Sequence, residues 1–427
     1  METSFVHISG RGICGSSGTS SLDFMKQLKS GVSSIEKISE PVHSSIKTAS
    51  ILDQSNYLND EFKIFNMLQM ALFEALESAG LWSGEPWQPK SPRNLQSKEN
   101  EFSLNVSGLP RKVGIFLGIS PKPKSYNGDK NYRSIYESQL QNLSSKIEEN
   151  RYIFDENINQ SCLAKYIRQL IGKNSEGPNV TIQNTGVSSM QAVGEAYKAI
   201  KSGEVDIAIA GGVQEYSLWT GLNLAAQQLY SRAIKVEDSC RPFDLRRQGT
   251  VLGEGSGLLI LESDLSLERR RKKGFALIRS YAGSNNCHRL TSYPSSGSGL
   301  TKAMNRCWQL AGKPKIDIII SNGSGTRNAD SSECAAIRAC QLEQAWTQSI
   351  KSFTGHTMAA AGAYNLIAGL LQQEHKFYTH TLHLKTPDPH CELNHLPLGG
   401  VHERLNFLMT NAMGLGGTNS CVILEFR

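Results

Sequence analysis

Short apolar runs rich in β-branched residues alternate along the chain with longer stretches whose apolar residues recur three and four apart. Phe5–Ile8, Val113–Leu117, Val205–Ala210, Leu258–Glu262, Ile316–Ile320 and Val422–Leu424 have the length and composition of strands. Phe24–Leu28, Ile64–Leu76, Met190–Lys201, Gly299–Ala311, Asp330–Ala345 and Thr357–Leu371 carry the helical period. Alternation of this kind across the whole length predicts an α/β protein in which helices cover sheets.

Two segments break the pattern. Residues 82–112 carry Pro, Ser and Asn without periodicity and read as a surface excursion. Residues 120–154 are polar, with Tyr126, Tyr132 and Tyr136 set among charges, and read as a loop followed by a helix. The basic run Glu268-Arg-Arg-Arg-Lys-Lys-Gly274 lies between two strands, where cations suit the C-terminal end of a solvated helix better than a nucleic-acid site.

Length and composition narrow the class. The 427 residues suit two domains or one duplicated unit, long enough to bury a core without disulfide or metal staples. Lys+Arg 45 against Asp+Glu 39 leaves +6, spread along the chain, which excludes a polybasic tail and permits an acidic partner. No run approaches the ~20 apolar residues of a membrane span, and the N-terminus lacks the charged-then-apolar order of a signal peptide. Nine scattered cysteines form no CxxC or other metal-ligand spacing. A reduced, cytoplasmic protein with no metal and no cofactor of its own is the expectation, with Cys240 and Cys162 as ordinary thiols.

Five glycine-rich or polar junctions adjoin these elements. Asn184-Thr-Gly-Val-Ser-Ser-Met190 is a small-residue turn between the alternating Val180–Ile182 and a helix, where an enzyme would present Ser or Cys to a helix N-terminus. Here Val187 stands at its centre, and Ser188 and Ser189 read as caps of the following helix. Gly249-Thr-Val-Leu-Gly-Glu-Gly-Ser-Gly257 precedes a strand instead of opening a helix, so close backbone packing is favoured over phosphate binding. Ser321-Asn-Gly-Ser-Gly-Thr326 leads to Asp330 and Glu333. Lys351-Ser-Phe-Thr-Gly-His356 opens the small-residue helix at Thr357-Met-Ala-Ala-Ala-Gly362. Asn411-Ala-Met-Gly-Leu-Gly-Gly-Thr-Asn419 precedes the last strand.

Arg241-Pro-Phe-Asp244, Gly253-Glu-Gly255, Gly323-Ser-Gly-Thr326, Lys351-Ser-Phe-Thr-Gly-His356 and Gly416-Gly-Thr-Asn419, in this order, resemble the β-ketoacyl-(acyl carrier protein) synthases, condensing enzymes of the thiolase fold. The resemblance runs from Val6-His-Ile-Ser-Gly-Arg-Gly-Ile13 to the last strand, with 82–160 the most divergent part. It implies a duplicated five-layer αβαβα sandwich with halves at 1–262 and 263–427. It also implies a dimer paired through a sheet edge.

Position by position, the resemblance implies a site without its chemistry. The family's nucleophilic Cys, in a Thr-Ala-Cys-Ser-Ser turn, falls on Val187, which cannot form a thioester. The first His falls on Asn322, which donates hydrogen bonds but is no general base near neutral pH. His356, Lys351, Asp330 and Glu333 are retained, the last three as supports, with Lys351 and Glu333 expected as a buried ion pair. The gate phenylalanine becomes Leu415 and a preceding aromatic becomes Met413. Phe154 and Ile158, like Tyr132 and Tyr136, fall where relatives line the tunnel.

The function this implies is a non-condensing subunit, a chain-length factor, paired with a Cys-bearing synthase in type II polyketide or fatty-acid-like biosynthesis. Such a subunit acts with phosphopantetheinyl acyl carrier protein, and Arg241, Arg246 and Arg247 are candidates to meet that acidic partner. Two alternatives stand beside it. One is malonyl-thioester decarboxylation by Asn322 and His356 without a nucleophile. The other is a non-catalytic scaffold for the carrier protein.

Overall fold

The computed structural model describes residues 5–38, 46–52, 63–83, 112–120, 162–172 and 176–426. Most of 82–160, and with it Phe154, Ile158, Tyr132 and Tyr136, lies outside the described residues. Ten strands form one sheet. They are β1 (Val6–Gly15), β2 (Val113–Ile119), β3 (Asn179–Ile182), β4 (Ile207–Gln214), β5 (Gly255–Ser263), β6 (Ala276–Asn285), β7 (Ile318–Ile320), β8 (Trp346–Gln348), β9 (Phe407–Met413) and β10 (Thr418–Phe426). The principal helices are α1 (Ser21–Ser30), α2 (Lys63–Ser78), α3 (Cys162–Leu170), α4 (Ser188–Lys201), α5 (Ser298–Leu310), α6 (Arg327–Ala339) and α7 (Ala361–Glu374).

The strand order is β8-β7-β9-β10-β6-β1-β5-β4-β2-β3. Read outward from the centre, one side runs β1-β5-β4-β2-β3 and the other β6-β10-β9-β7-β8, the same path twice. The senses repeat as well. In one half β2 is parallel to β3 and β4, while β5 is antiparallel to β4 and β1. In the other, β7 is parallel to β8 and β9, while β10 is antiparallel to β9 and β6. The halves touch where Val6–Ile8 of β1 pairs with Ala276–Ile278 of β6.

Helices cover both faces of each half. Helices α4 and α7 lie between the half-sheets. Val193, Ala196, Leu366 and Ile367 join Leu259, Leu261, Val422 and Leu424 in the largest core cluster. Helices α2 and α3 cover the outer face of the first half, with Met67, Leu72 and Ile167 against Ile115, Leu117 and Ile260. Helices α5 and α6 cover the second, with Leu300, Met304 and Ile337 against Ile319 and Ile423. The result is five layers, and strands covered on both faces lose their polar alternation: every residue of β2 is buried. Gly12 lets α2 settle directly on β1, since a Cβ there would lie 2.6 Å from the Ala75 backbone nitrogen.

Two helix expectations shorten. The 330–345 stretch ends as a helix at Ala339, because Gln341 takes φ +57, and Trp346–Gln348 then forms β8. The 357–371 stretch opens as a 3-10 turn at Met358–Ala360 before α7 begins. The basic run behaves as expected, ending the short helix Asp264–Arg270 with Arg269 and Arg270 in its last turn. Among the described residues no helix is long and apolar enough to cross a membrane.

Candidate functional site

The glycine-rich junctions meet at the carboxyl ends of the parallel strands, where α/β sheets bind their ligands. After β3, residues Thr185–Val187 make a single 3-10 turn that runs directly into α4. Thr185 takes φ +47, a strained conformation for a residue with a branched side chain. Val187 occupies the N-cap position of α4 and is wholly buried, so an inert isopropyl group stands at the centre of the turn.

The two serines do not cap α4, as the sequence suggests. Ser188 Oγ accepts from the Asn184 N–H (2.8 Å) and donates to the Thr185 carbonyl (2.8 Å), closing the turn on itself. Ser189 Oγ accepts from the Ala363 N–H (3.1 Å), and thus caps the neighbouring α7. The helix begins two residues earlier than its apolar period, so both serines lie inside its first turn instead of ahead of it.

His356 is held from both sides by the glycine segment before β5. Its N–H donates to the Val251 carbonyl (2.7 Å), and the Gly253 N–H donates to the His356 carbonyl (3.0 Å). Nδ1 accepts from the Met358 N–H (3.1 Å), which leaves the ring proton on Nε2. Burial and then the nearby Lys351 charge hold the ring well below the usual histidine range, so it is neutral near pH 7. His356 is therefore a donor through Nε2. The Cε1 and Nε2 atoms lie 3.2 and 3.4 Å from where a Cβ on Gly186 would sit. Glycine at 186, in place of the family motif's alanine, gives the ring that room, a role that sequence reading passed over although the departure from the motif marks it.

Asn322, immediately after β7, is locked on every side but one. Its N–H and that of Gly323 donate to Glu333 Oε1 and Oε2 (2.8 Å each). Its carbonyl accepts a short bond from Lys351 Nζ, and Oδ1 accepts from the Met413 N–H (3.3 Å) and from Lys351 Nζ (3.4 Å). The amide NH2 has no partner among the described residues. The expected Lys351–Glu333 ion pair is absent: the two charges grip opposite edges of the Asn322 segment instead. Asn411 Nδ2 adds a bond to Glu333 Oε1 (3.3 Å).

Burial dominates the titration of both groups. Glu333 rises to about 7, against the pull of its two backbone donors, and Lys351 falls to about 8, against Glu333. Asp330 performs the same office one turn earlier. Its Oδ1 accepts from the Ser324 and Gly325 N–H groups (2.9 and 3.1 Å), and its Oδ2 from the Phe243 N–H (2.9 Å), with Phe243 at φ +68.

Arg247 lies beneath this loop, not on the surface. Only 1% exposed, it pairs with Asp330 (3.4 Å) and Asp388 (2.7 Å) and donates to the Arg327 carbonyl (3.1 Å). Arg241 is also buried, beside Asp238 (3.1 Å). The expected outward trio is thus corrected to Arg246 alone, whose side chain is 53% exposed beside Asp244. Arginines next to a buried aspartate serve the fold before they serve a partner.

Of the two residues expected at a gate, Met413 is buried and Leu415 half-buried. Leu415 rests on an apolar wall of Ile46, Leu224, Tyr230, Leu252 and Met358. Val187 Cγ2 approaches the backbone of Gly414, 3.5 Å from where its Cβ would be, so the turn and the 413–415 segment pack on each other. The glycine cluster before β5 does serve close packing: a Cβ on Gly253 would meet the Thr354 carbonyl. Cys240, buried behind Lys351, is pushed up to about 12 by burial and then by Asp330, and holds a thiol, not a thiolate.

This constellation offers two hydrogen-bond donors, His356 Nε2 and the Asn322 amide, and neither a nucleophile nor a second imidazole. Comparison with known proteins gives it a lineage. The sequence model of the β-ketoacyl synthase N-terminal domain matches residues 5–266, and that of the C-terminal domain residues 275–385. The chain is 27% identical over 436 aligned positions to 3-oxoacyl-[acyl-carrier-protein] synthase 2 of Coxiella burnetii, covering 100% of this chain and 99% of that protein. Curated relatives at 31% identity align over 259 to 276 residues, 64% of their own length.

Among solved structures, "The ishigamide ketosynthase/chain length factor" superposes with a TM-score of 0.79 at 24% identity, covering 100% of both chains. A type II PKS acyl-carrier protein in complex with its ketosynthase, bound to the hexaketide, gives 0.79 at 22% identity, also over 100% of both. These likenesses establish the thiolase-like ketosynthase fold. With both domain matches spanning most of its length, this chain belongs to the β-ketoacyl synthase family.

Proposed function

We propose that this chain is a non-condensing ketosynthase subunit, a chain-length factor. It pairs with a Cys-bearing β-ketoacyl synthase and shapes the tunnel in which a carrier-bound acyl or polyketide chain grows. The observation that carries this reading is Val187: an inert, fully buried side chain on a turn that is otherwise built to present a nucleophile. Covalent capture of an acyl group is impossible there. Asn322 in place of an imidazole removes the second requirement for condensation.

What is retained fits a role in shape. Glu333, Lys351 and Asp330 hold the loop after β7 by its own backbone, so their loss would leave buried groups unsatisfied whether or not the site turns over. Leu415 and its apolar wall give the mouth a lining without chemistry. The fold likeness to a ketosynthase/chain length factor agrees with this reading.

The test is co-expression with a synthase that carries an intact Cys-His-His set, preferably one encoded beside this chain. The expected result is a 1:1 complex that condenses malonyl units on carrier protein, while this chain alone does not. A chain that stays a homodimer and ignores that partner sinks the proposal.

A second reading rests on the two open donors. His356 Nε2 and the Asn322 amide could polarise the thioester carbonyl of a malonyl group, stabilising the enolate left when CO2 departs. Release of CO2 from malonyl-carrier protein by this chain alone, abolished by His356→Ala, would favour it.

A further inference from the structure

At the far edge of the second half-sheet, remote from the junctions just described, the surface carries a half-open cavity of about 320 Å³. It lies where the end of α5, the strand β7 and the edge strand β8 meet. Two indoles line it, those of Trp308 and Trp346. Ile316, Leu342, Ala345 and Leu405 form its apolar floor. Its charged lining is Asp317, Glu403 and Lys315, two carboxylates against one ammonium.

The polar atoms there are half spent. Glu403 Oε1 accepts from Trp346 Nε1 (3.0 Å), which fixes that indole, and Oε2 has no partner among the described residues. Asp317 Oδ2 accepts the Asn406 and Phe407 N–H groups (2.8 and 3.0 Å), while Oδ1 has none. Trp308 Nε1 is used on the Pro314 carbonyl (2.7 Å), so both indoles are oriented by their N–H groups. Lys315, Gln341 and Gln344 bring donors to the lining, but two carboxylates against one ammonium leave it net acidic, and its indole walls are the aromatic surface most attractive to a cation. The protein itself uses that attraction: Lys313 Nζ lies over the Trp308 ring at 5.7 Å from its centroid.

We propose that this cavity binds a primary alkylammonium group. Its N–H donors meet the open oxygens of Asp317 and Glu403, and its methylene chain lies on the indoles and the apolar floor. A primary ammonium suits the site better than a quaternary one, because two unpartnered acceptors ask for N–H groups. The Tyr378 phenol, raised first by burial and then by Asp317 and Glu403, feels both carboxylates at once. The proposal does not depend on the fate of the acyl site.

The probe is n-butylammonium chloride, titrated into the intact chain at constant ionic strength and followed by tryptophan fluorescence. Saturable quenching is expected, with n-butanol, matched in length but uncharged, binding several-fold more weakly. Glu403→Gln should weaken the amine by roughly threefold to tenfold, and Lys315→Gln should tighten it. Both sites are exposed, so neither variant threatens folding. Quenching equal for amine and alcohol, affinities unmoved by either charge change, or no saturable quenching would overturn the proposal. Running Nα-acetyl-lysine-N-methylamide beside the free amine distinguishes the source. Tighter binding of the lysine derivative identifies a lysine side chain of a partner, and weaker binding a free amine; each outcome supports an ammonium site.

Discussion

Val187 and Asn322 act as a pair, and their replacement should show it. Val187→Cys alone restores a thiol beside a neutral His356 but no general base. It should therefore fall short of Val187→Cys/Asn322→His by roughly 10²–10⁴-fold in acyl transfer from a carrier-protein thioester. Single-turnover mass spectrometry of the loaded cysteine reads this directly, and comparable transfer by the single variant would show that the missing imidazole is overvalued.

Glu333 gives a second residue-scale test, because its carboxyl is raised from an ordinary 4.5 to about 7, chiefly by burial. A carboxyl raised on folding favours the native state most below pH 4.5, and that advantage is lost as pH rises toward 7. Glu333→Gln removes the titration and keeps an acceptor. Relative to the variant, the wild-type chain should lose stability steadily between pH 4.5 and 7, as read by urea unfolding at several pH values. A flat difference would show that the carboxyl is not held protonated. Glu333→Ala, which strands the Asn322 and Gly323 N–H groups, should cost about 1–3 kcal/mol for each group at any pH in that range.

At the scale of elements, helices α4 and α7 are joined more closely than either pattern alone reveals. Ser189 supplies the cap of α7 from the first turn of α4, so Ser189→Ala should cost about 0.5–2 kcal/mol. Gly362 faces Met190, with only 2.7 Å between the Met190 Cβ and the Cβ that Gly362 lacks. Gly362→Val should therefore overpack the pair by about 1–3 kcal/mol. Denaturant midpoints check both, and a neutral Gly362→Val would mean that the helices can part freely.

These contacts mark where the sequence is legible and where it is not. The apolar runs place β2, β4 and β7 well, because strands covered on both faces announce themselves by continuous burial. The motif order locates Val187, Asn322 and His356, since each sits at a strand end whose glycines fix the backbone. Pairings across the fold are hidden. Nothing in the spacing tells Ser189 to serve α7, keeps Lys351 from reaching Glu333, or turns Arg247 inward to Asp330 and Asp388. The three-residue β8 is too short to carry a period, and the turn at 340–345, with Gln341 left-handed, leaves no break in the apolar pattern between it and the helix before it.

At the scale of the molecule, the repeated path β1-β5-β4-β2-β3 and β6-β10-β9-β7-β8 leaves β3 and β8 as the outer strands. The second edge is already occupied, since the Thr347 N–H donates to the Asn394 carbonyl and the Leu396 N–H to the Thr347 carbonyl. Strand β3 has β2 on one side, and Val180 and Ile182 stay only partly buried against the core. A partner subunit is expected at that edge. Val180→Lys should weaken a complex with a Cys-bearing synthase by at least several-fold, measured by analytical ultracentrifugation, while leaving the isolated chain folded.

The junction of the half-sheets, three residues of β1 beside three of β6, also has a consequence for how the chain comes off the ribosome. The first half finishes its strands at Ser263 and has α4 to lay on their inner face, but α7 ends only at Glu374, 111 residues later. Until then, the side of α4 that will receive Gly362 and Ala363 stands open to water, and Ser189 waits without the N–H it caps. The nascent first half is thus a mould without its casting, a natural client for a chaperone. Residues 1–262 expressed alone should collect as aggregate, and recover when 263–427 is supplied as a separate chain.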